Sequence, residues 1–177
     1  MTMLARYVCD KSVALVGSAK SLHSQDKAQQ IDAHDVVIRM NLSTPTVQLP
    51  SLVGRKTDIW AMAKSFSGHR TPPGTSHILF MKLTELGNRD WVCALNERRS
   101  VDLTRWPQAL EDQVKEFVGA DPGTGIRLLY WLKRIAKPKS VSIFGMDCWE
   151  TPSCWSGAPA AAHDPALERI AMETLLT

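Results

Sequence analysis

A histidine at the start of an amphipathic segment is the strongest candidate for proton transfer in this sequence. His163 directly precedes Asp164-Pro165, a pair typical of a helix N-cap followed by proline at the first helical position. The positive end of a helix dipole disfavours imidazolium, so we expect a neutral ring that can accept a proton near pH 7. Glu168 lies five residues further on, where its carboxylate can turn back and hold the ring. The alternative interpretation is an exposed histidine beside an ordinary helix charge.

Two glycine turns are candidates for holding an anion. The turn Gly17-Ser18-Ala19 follows a short apolar run, and the turn Gly123-Thr124-Gly125 precedes an amphipathic segment. Free amides at such turns and at a helix N-terminus can face a phosphate, and a threonine adds a hydroxyl donor. The first turn lacks the further glycines of a dinucleotide fingerprint and the correctly spaced Gly-Lys-Ser/Thr of a Walker loop. A plain strand-to-helix turn and a self-contained helix cap remain the alternatives.

Short apolar runs alternate with amphipathic segments along the chain. The strands and helices that they predict position His163 and the two glycine turns. The runs predict strands over 11–17, 35–40, 58–63, 77–83 and 140–145. The amphipathic segments predict helices over 24–31, 104–118, 126–136 and from 165 onward. Because the strands are apolar on both faces, we expect helices on both sides of a mostly parallel sheet. The predicted architecture is a single three-layer α/β/α Rossmann-like sandwich spanning residues 1–177.

The carboxyl ends of three predicted strands carry small or polar residues. These ends are Gly17-Ser18, Asn41 and Gly145-Met146-Asp147. Open parallel sheets bind ligands at the carboxyl ends of their strands. We therefore expect these residues to share one site, with loops over 64–76 and 148–162 around the sheet.

Two of the predicted helices carry apolar stripes that should face the sheet. The stripes recur at every third or fourth position and consist of Ile126, Leu129, Leu132 and Ile135, and of Leu167, Ile170, Ala171 and Leu175. The first of these helices ends in the basic cluster Lys133, Arg134, Lys137 and Lys139. A solvated helix end is the favoured interpretation of this cluster, and contact with a membrane or glycolipid is the alternative.

The composition is that of an ordinary globular domain and excludes several classes of protein. Of 177 residues, 44% are hydrophobic and 22% are charged, which excludes disordered and fibrous chains. Lys and Arg number 21 against 18 Asp and Glu, and a net charge of +3 does not indicate nucleic-acid binding. There is no apolar run of about 18 residues, the length that a transmembrane helix needs. The N-terminus does not resemble a signal peptide, so we expect a cytoplasmic protein.

The cysteines and the usual metal-ligating residues show no site pattern. The four cysteines are Cys9, Cys93, Cys148 and Cys154, and we expect them to be free thiols in a reducing compartment. A Cys148–Cys154 disulfide or a redox role is the alternative. The histidines other than His163 have no paired spacing and no Asp-x-Asp motif is present, so we expect no metal site. Trp149 and Trp155 are interpreted as core or pocket wall, with stacking on an acceptor sugar as the alternative.

In combination, these segments resemble glycosyltransferase family 29, the sialyltransferases. Val13–Ser18 together with Ile31–Asn41 resembles the large sialyl motif of that family. Val53–Thr57 resembles the glycine-x-lysine-threonine that follows the large motif. The resemblance implies the GT-A-like variant of the α/β sandwich that sialyltransferases adopt.

Two further motifs of the family have counterparts in the same order. Pro122–Gly125, with the strand that runs to Gly145, resembles the small sialyl motif. His163 and Glu168 fit the very small motif, which is a histidine, four residues and a glutamate. The order and approximate spacing of the motifs agree across residues 13–168.

The resemblance implies a CMP-sugar donor and assigns its contacts. The residues expected to hold the CMP part are Gly17, Ser18, Ala19 and Asn41 from the large motif, and Gly123, Thr124, Gly125, Gly145 and Met146 from the small motif. The very small motif implies that His163 is the catalytic base, which Glu168 would orient. The second substrate is expected to be a glycan or glycolipid.

The departures from the family pattern concern the donor phosphate and the membrane anchor. Ser18 and Gly123 replace an asparagine and a serine, and no histidine of the family's third motif occurs over 148–157. We therefore expect Lys20 or Arg39 to compensate the phosphate charge. The cysteines, membrane anchor and stem of the animal enzymes have no counterpart. These features indicate a cytoplasmic, bacterial-type member, with peripheral contact at the inner membrane as an additional expectation.

The expected function is an inverting, metal-independent transfer of sialic acid or a related ulosonic acid from CMP to a glycan hydroxyl. No cofactor is expected besides the donor substrate. CMP-Kdo, used for bacterial surface glycans such as lipopolysaccharide, is a rival donor. A catalytically impaired CMP-binding module is the second hypothesis. A Rossmann-type oxidoreductase is the third, and the incomplete glycine fingerprint argues against it.

Overall fold

Six parallel strands form one sheet at the centre of the molecule. The computed structural model describes residues 2–45, 48–63, 71–81, 101–153 and 163–177. The strands are β1 Ser12–Val16, β2 Val36–Met40, β3 Ile59–Met62, β4 His77–Phe80, β5 Asp102–Arg105 and β6 Ser140–Phe144. Their order is β5-β4-β3-β2-β1-β6, and every neighbouring pair is parallel. The expected α/β fold with a parallel sheet is confirmed.

Helices follow the strands and cover the sheet. The α-helices are α1 Thr2–Val8, α2 Ala28–Asp32, α3 Pro50–Val53, α4 Gln108–Val118, α5 Thr124–Trp131 and α6 Pro165–Leu176. A 3-10 helix spans Lys20–Ser24, and α5 continues as a π-helix over Leu132–Ala136. No helix in the part of the chain that the structure describes is long and apolar enough to cross a membrane.

Alternate residues of β1 pack into two different apolar layers. Val13 and Leu15 lie in the larger core cluster with residues of α1, α4, α5 and α6. Ala14 and Val16 lie in a second cluster with Ile31 of α2 and other residues. Successive side chains of a strand point to opposite faces of its sheet, so these two clusters are the two faces of a three-layer sandwich.

The segment before α4 corrects one sequence-based prediction. Residues 104 and 105 were expected in a helix, but they belong to β5, and the helix begins at Gln108 after Pro107 in an extended conformation. Residues 102 and 103 also belong to β5, and this edge strand has no buried residue. An edge strand of this kind lacks the apolar run that identifies a buried one. Helix α1, Thr2–Val8, was not predicted from the sequence.

The helix expected over 24–31 is two shorter elements. The 3-10 helix ends at Ser24, and α2 begins at Ala28. Asp26 between them has a positive φ of 44°, a left-handed conformation that interrupts a helix.

Two residues of the predicted apolar stripes point to solvent. Ile135 is 46% exposed because the π-helix changes the number of residues per turn after Leu132 and rotates the following positions. Ile170 is 59% exposed, while Glu168 occupies the buried face of α6 with Ala171 and Leu175. The remaining stripe positions are buried or partly buried against the sheet.

Candidate active site

A cavity of about 490 Å³ lies at the carboxyl ends of β1, β2 and β6. All eleven residues expected to bind the donor or to catalyse transfer line it: Gly17, Ser18, Ala19, Asn41, Gly123, Thr124, Gly125, Gly145, Met146, His163 and Glu168. These residues come from segments far apart in sequence, which the parallel sheet brings to one edge.

The ends of β1 and β6 meet closely at the first glycine turn. The Gly17 amide donates to the Phe144 carbonyl at 2.7 Å, and the Ala19 amide donates to the Gly145 carbonyl at 3.0 Å. A Cβ on Gly17 would lie 2.2 Å from the Gly145 carbonyl oxygen. Only glycine leaves room for the two backbones to approach in this way.

Met146 fills the space between the two glycine turns. A Cβ on Gly17 would lie 2.8 Å from Met146 Cγ, and a Cβ on Gly125 would lie 2.6 Å from Met146 Cε. The unbranched thioether side chain can adapt to an irregular gap of this kind. Met146 therefore forms a wall of the cavity that both turns contact.

Asn41 connects β2 to the neighbouring loops. Its Oδ1 accepts from the Ala63 amide at 2.9 Å, and its Nδ2 donates to Thr124 Oγ1 at 3.4 Å. Its backbone is left-handed, with φ of 50°, a conformation that asparagine tolerates better than most residues. The second glycine turn is thereby tied to the end of the sheet.

The loop after β6 is fastened to the first glycine turn. Ser18 Oγ lies 3.0 Å from Ser153 Oγ, and the Lys20 amide donates to the Pro152 carbonyl at 3.0 Å. Asp147 accepts from the hydroxyls of Ser21 and Thr151 at 2.8 and 2.6 Å. Ser18, which stands where the family has asparagine, thus uses its hydroxyl on a neighbouring loop.

The hydrogen bond of His163 determines which ring nitrogen is available. Its Nδ1 lies 2.9 Å from the carbonyl oxygen of Asp121. A carbonyl can only accept, so Nδ1 carries the proton of a neutral ring and Nε2 keeps its lone pair. This tautomer is assigned from the hydrogen-bond geometry. Trp149 stacks on the ring with centroids 5.7 Å apart and 19° between the planes.

Glu168 lies near the imidazole but hydrogen-bonds to other groups. Its Oε1 accepts from the Gly123 amide at 2.5 Å, and its Oε2 accepts from Trp149 Nε1 at 3.3 Å. Oε1 is 3.7 Å from His163 Nδ1, which is ion-pair range and not a hydrogen bond. Burial raises the pKa of Glu168, and the Gly123 amide, His163 and Trp149 oppose the shift.

Sequence reasoning missed the Asp121 carbonyl as the group that orients the ring. A backbone acceptor leaves no trace in residue type, and no sequence signal could have found it. Trp149 was considered only as a pocket wall or a sugar-stacking residue. Its backbone φ of 68° follows a φ of 49° at Cys148. Such conformations cost about 1–3 kcal/mol for non-glycine residues and cluster at active sites and ligand-binding loops.

Neither candidate for phosphate charge compensation reaches the cavity. Arg39 is fully buried and donates to the carbonyls of Lys56, Ser43 and Val53 at 2.8, 3.3 and 2.7 Å. Burial lowers the pKa of its guanidinium to about 10. Lys20 is exposed, and its side chain does not line the cavity. Arg39 is a core residue because its guanidinium donates hydrogen bonds to three carbonyls that have no partner in the sheet's hydrogen-bond ladder.

The charged groups that line the cavity are acids and one histidine. Asp147, Glu168 and His163 are present, and no lysine or arginine lines the cavity within the described ranges. In the same ranges, no group of three or more histidine, cysteine, aspartate or glutamate residues could hold a metal ion. Anion binding would therefore fall to backbone amides and hydroxyls.

The described cysteines are free thiols. Cys9 is exposed and Cys148 is buried beside the cavity. Burial, followed by the charge of Glu168, raises the pKa of Cys148 to about 11, so its thiol is not an activated nucleophile. Cys93, Cys154 and Trp155 lie outside the described residues.

Comparison with known proteins identifies the family and the fold of this chain. Residues 6–123 match the profile of Glycosyltransferase family 29 (sialyltransferase). A mammalian sialyltransferase crystallised with Gal-beta-1-3GalNAc-ortho-nitrophenol superposes at a TM-score of 0.71, with 23% identity over 97% of this chain and 68% of that one. Another structure of a mammalian sialyltransferase gives a TM-score of 0.72, with 23% identity over 96% and 67%. No curated protein sequence matches significantly.

The fold and the matched profile define an enzyme of the glycosyltransferase class. More than half of the chain is matched, and the chain belongs to glycosyltransferase family 29, the sialyltransferases. The expected family and enzyme class are confirmed. Nothing in these comparisons supports an oxidoreductase or a CMP-Kdo transferase.

Proposed function

We propose that this protein transfers sialic acid, or a related ulosonic acid, from a CMP donor to a glycan hydroxyl with inversion and without a metal ion. The observation that carries this proposal is that two glycine turns from distant segments and the imidazole of His163 line one cavity. One turn follows β1 and lies against the end of β6, and the other begins α5, whose N-terminal amides can face this cavity.

The N-terminus of α5 supports binding of the donor phosphate. The first amides of a helix have no partner within the helix, and the helix dipole favours an anion there. Thr124 begins α5, is buried and lines the cavity, so its hydroxyl is available near those amides. CMP leaves with a single phosphate, a smaller charge than that of a nucleoside diphosphate, so amides and hydroxyls can stabilise it.

His163 supports the proton transfer. Its Nε2 keeps the lone pair because Nδ1 is bonded to the Asp121 carbonyl. In a single displacement, the acceptor oxygen bonds to the anomeric carbon as the bond from that carbon to the phosphate oxygen breaks. The hydroxyl proton passes to Nε2, and the bonding electron pair leaves with CMP. One displacement inverts the anomeric centre.

The variant His163→Ala tests this mechanism. We expect CMP binding to be retained and transfer to fall about 10²–10⁴-fold, the usual contribution of a general base. Binding is measured by calorimetry, and transfer by CMP release with and without acceptor. The acceptor probe is a Gal-β1-3GalNAc glycoside, since a similar structure contains one. Each assay compares CMP-sialic acid with CMP-Kdo.

The matched control is His23→Ala, at a histidine that does not line the cavity. This variant should keep wild-type transfer. Normal turnover by His163→Ala would refute the role of His163 as the general base. Wild-type protein that binds CMP but releases none in the presence of acceptor would instead support an impaired binding module.

A further inference from the structure

A buried ion pair lies directly behind the second glycine turn. The Arg127 side chain on α5 is 2% exposed and forms a two-pronged pair with Glu111 of α4. Its Nε donates to Oε2 at 2.7 Å, and its Nη2 donates to Oε1 at 2.6 Å. Burial acts to raise the pKa of Glu111, but the hydrogen bond and charge of Arg127, with the charge of Lys115, lower it overall, so this carboxylate is ionised.

The same guanidinium also holds the loop that precedes α5. Nη2 donates to Asp121 Oδ1 at 2.9 Å, and Nη1 donates to the Pro122 carbonyl. The next residue of the loop, Gly123, donates its amide to Glu168. Three consecutive residues of this loop are therefore fixed by side chains.

The loop presents the acceptor that orients the candidate base. The carbonyl of Asp121 receives the Nδ1 proton of His163 at 2.9 Å, and the two groups that Arg127 binds lie on either side of that carbonyl. A shift of Arg127 would move the carbonyl, because Arg127 holds the loop at both Asp121 and Pro122, and the exposed Lys115 also pairs with Asp121 at 3.6 Å. Neither Arg127 nor Glu111 lines the cavity.

We propose that Arg127, paired with Glu111, is a positioning residue for His163 that acts through the backbone carbonyl of Asp121. This proposal rests on the proposed function of His163 as the base. The pair fixes the proton on Nδ1 and leaves Nε2 facing the acceptor. In metal sites, outer-shell partners that orient a ligating histidine change affinity or activity by about 10–100-fold when removed, and we expect an effect of the same order for His163.

The guanidinium is specific to this task. It donates to four acceptor atoms: both oxygens of Glu111, Asp121 Oδ1 and the Pro122 carbonyl. A lysine carries the same charge on a single compact head and cannot reproduce the fork. Arg127→Lys should therefore keep attraction to Glu111 and lose the hold on the loop.

A purely structural role makes a different prediction. Replacing both members of a buried ion pair by apolar residues of similar volume is often neutral or stabilising. The double variant Glu111→Leu/Arg127→Met should consequently fold, and it separates packing from positioning. If the pair only stabilised the fold, this variant would transfer sugar normally.

The experiment measures kcat, KM and CMP affinity together with the tautomer of His163. We expect kcat to fall about 10–100-fold in Arg127→Lys and in the double variant, while CMP affinity changes less than about threefold. Imidazole ¹⁵N shifts, assigned with His163→Ala as the blank, should show the Nδ1–H tautomer in the wild type. They should show mixed tautomers in both variants, at a pH where the ring is neutral.

The control is Val114→Ala on the same helix as Glu111. Val114 is fully buried in the apolar core, so its truncation lowers stability without touching the loop. It should keep the kcat of the folded enzyme and the wild-type tautomer.

The two readouts separate this proposal from the proposed function. Unchanged kcat and an unchanged tautomer in the folded double variant would overturn the positioning role. If the variants show a changed tautomer but the wild-type protein transfers no sugar, the positioning role is supported and the proposed transferase function is refuted. The tautomer measurement needs no substrate, so it decides the positioning role in either case.

Discussion

Burial and hydrogen bonding act in opposite directions on the carboxyl group of Glu168. The side chain lies on the buried face of α6, with 5% of the residue exposed, and burial raises its pKa. The Gly123 amide and the Trp149 indole stabilise the ionised form but do not reverse the shift. A carboxylate in this state links the second glycine turn to the aromatic wall beside His163.

The raised pKa predicts how Glu168 couples stability to pH. A carboxyl group with a higher pKa when folded binds more protons in the native state, so its contribution falls as pH rises from about 4.3, the ordinary value, to the folded pKa. Glu168→Gln removes this titration. We expect a smaller decrease of the urea midpoint with rising pH in the variant, measured over a pH series above 4.3.

An equal or steeper decrease in Glu168→Gln would show that Glu168 does not carry this linkage. Glu173→Gln is the matched control, since Glu173 is an exposed residue of the same helix. Its midpoint should follow the wild-type pH dependence.

At the scale of elements, the two glycine turns differ in what surrounds them. A Cβ on Gly17 would meet backbone, the carbonyl of Gly145, at 2.2 Å. A Cβ on Gly125 would meet the flexible end of Met146 at 2.6 Å. The first contact requires the ends of β1 and β6 to separate, whereas the second requires a side-chain rotation.

The two alanine variants should therefore affect different properties, stability in Gly17→Ala and CMP binding in Gly125→Ala. Gly17→Ala should destabilise the fold by about 1–3 kcal/mol, as overpacking does. Gly125→Ala should cost less stability, because alanine favours a helix and Met146 can move. It should nevertheless weaken CMP binding, because the displaced thioether enters the cavity. Urea unfolding and calorimetric CMP titration check both; equal stability losses, or unchanged CMP affinity in Gly125→Ala, would contradict the argument.

The same elements show how far the sequence could predict the fold. Buried strands such as β2 were predictable because their runs are mainly β-branched and apolar. The start of α6 was predictable because aspartate before proline is a common N-cap, and Asp164 does accept from two helical amides. The edge strand β5 has no such run. The exposure of Ile135 followed from a π-helix, which periodicity at 3.6 residues does not anticipate.

Candidate site residues were predictable where residue type itself carries the chemistry. Glycines at strand ends and a histidine before a helix are visible in the sequence. The Asp121 carbonyl, which orients the ring, is visible only in the structure. Arg39 illustrates the reverse case. From the sequence, its charge was a candidate for binding phosphate, but in the structure its guanidinium donates to three buried carbonyls.

At the scale of the whole molecule, the cavity predicts a ligand-dependent stability. A ligand that binds only the folded state stabilises it by about 2.7 kcal/mol at 100 times its Kd. For a domain of this size, the melting temperature rises about 2–4 °C per kcal/mol. CMP should raise the melting temperature and NAD should not, as a thermal-shift titration will show. A larger shift with NAD than with CMP would refute the proposed donor class.

The position of β1 inside the sheet has a consequence for which wall of the cavity can move. Every residue from Ser12 to Val16 is paired with β6, and those from Val13 onward are paired with β2 as well. Amide protons held between two neighbouring strands exchange with solvent only through large openings of the protein. The Gly17 turn continues directly from this strand, so it forms the rigid side of the cavity. We therefore expect the motion that admits a substrate to occur on the side of the Gly123 turn and His163.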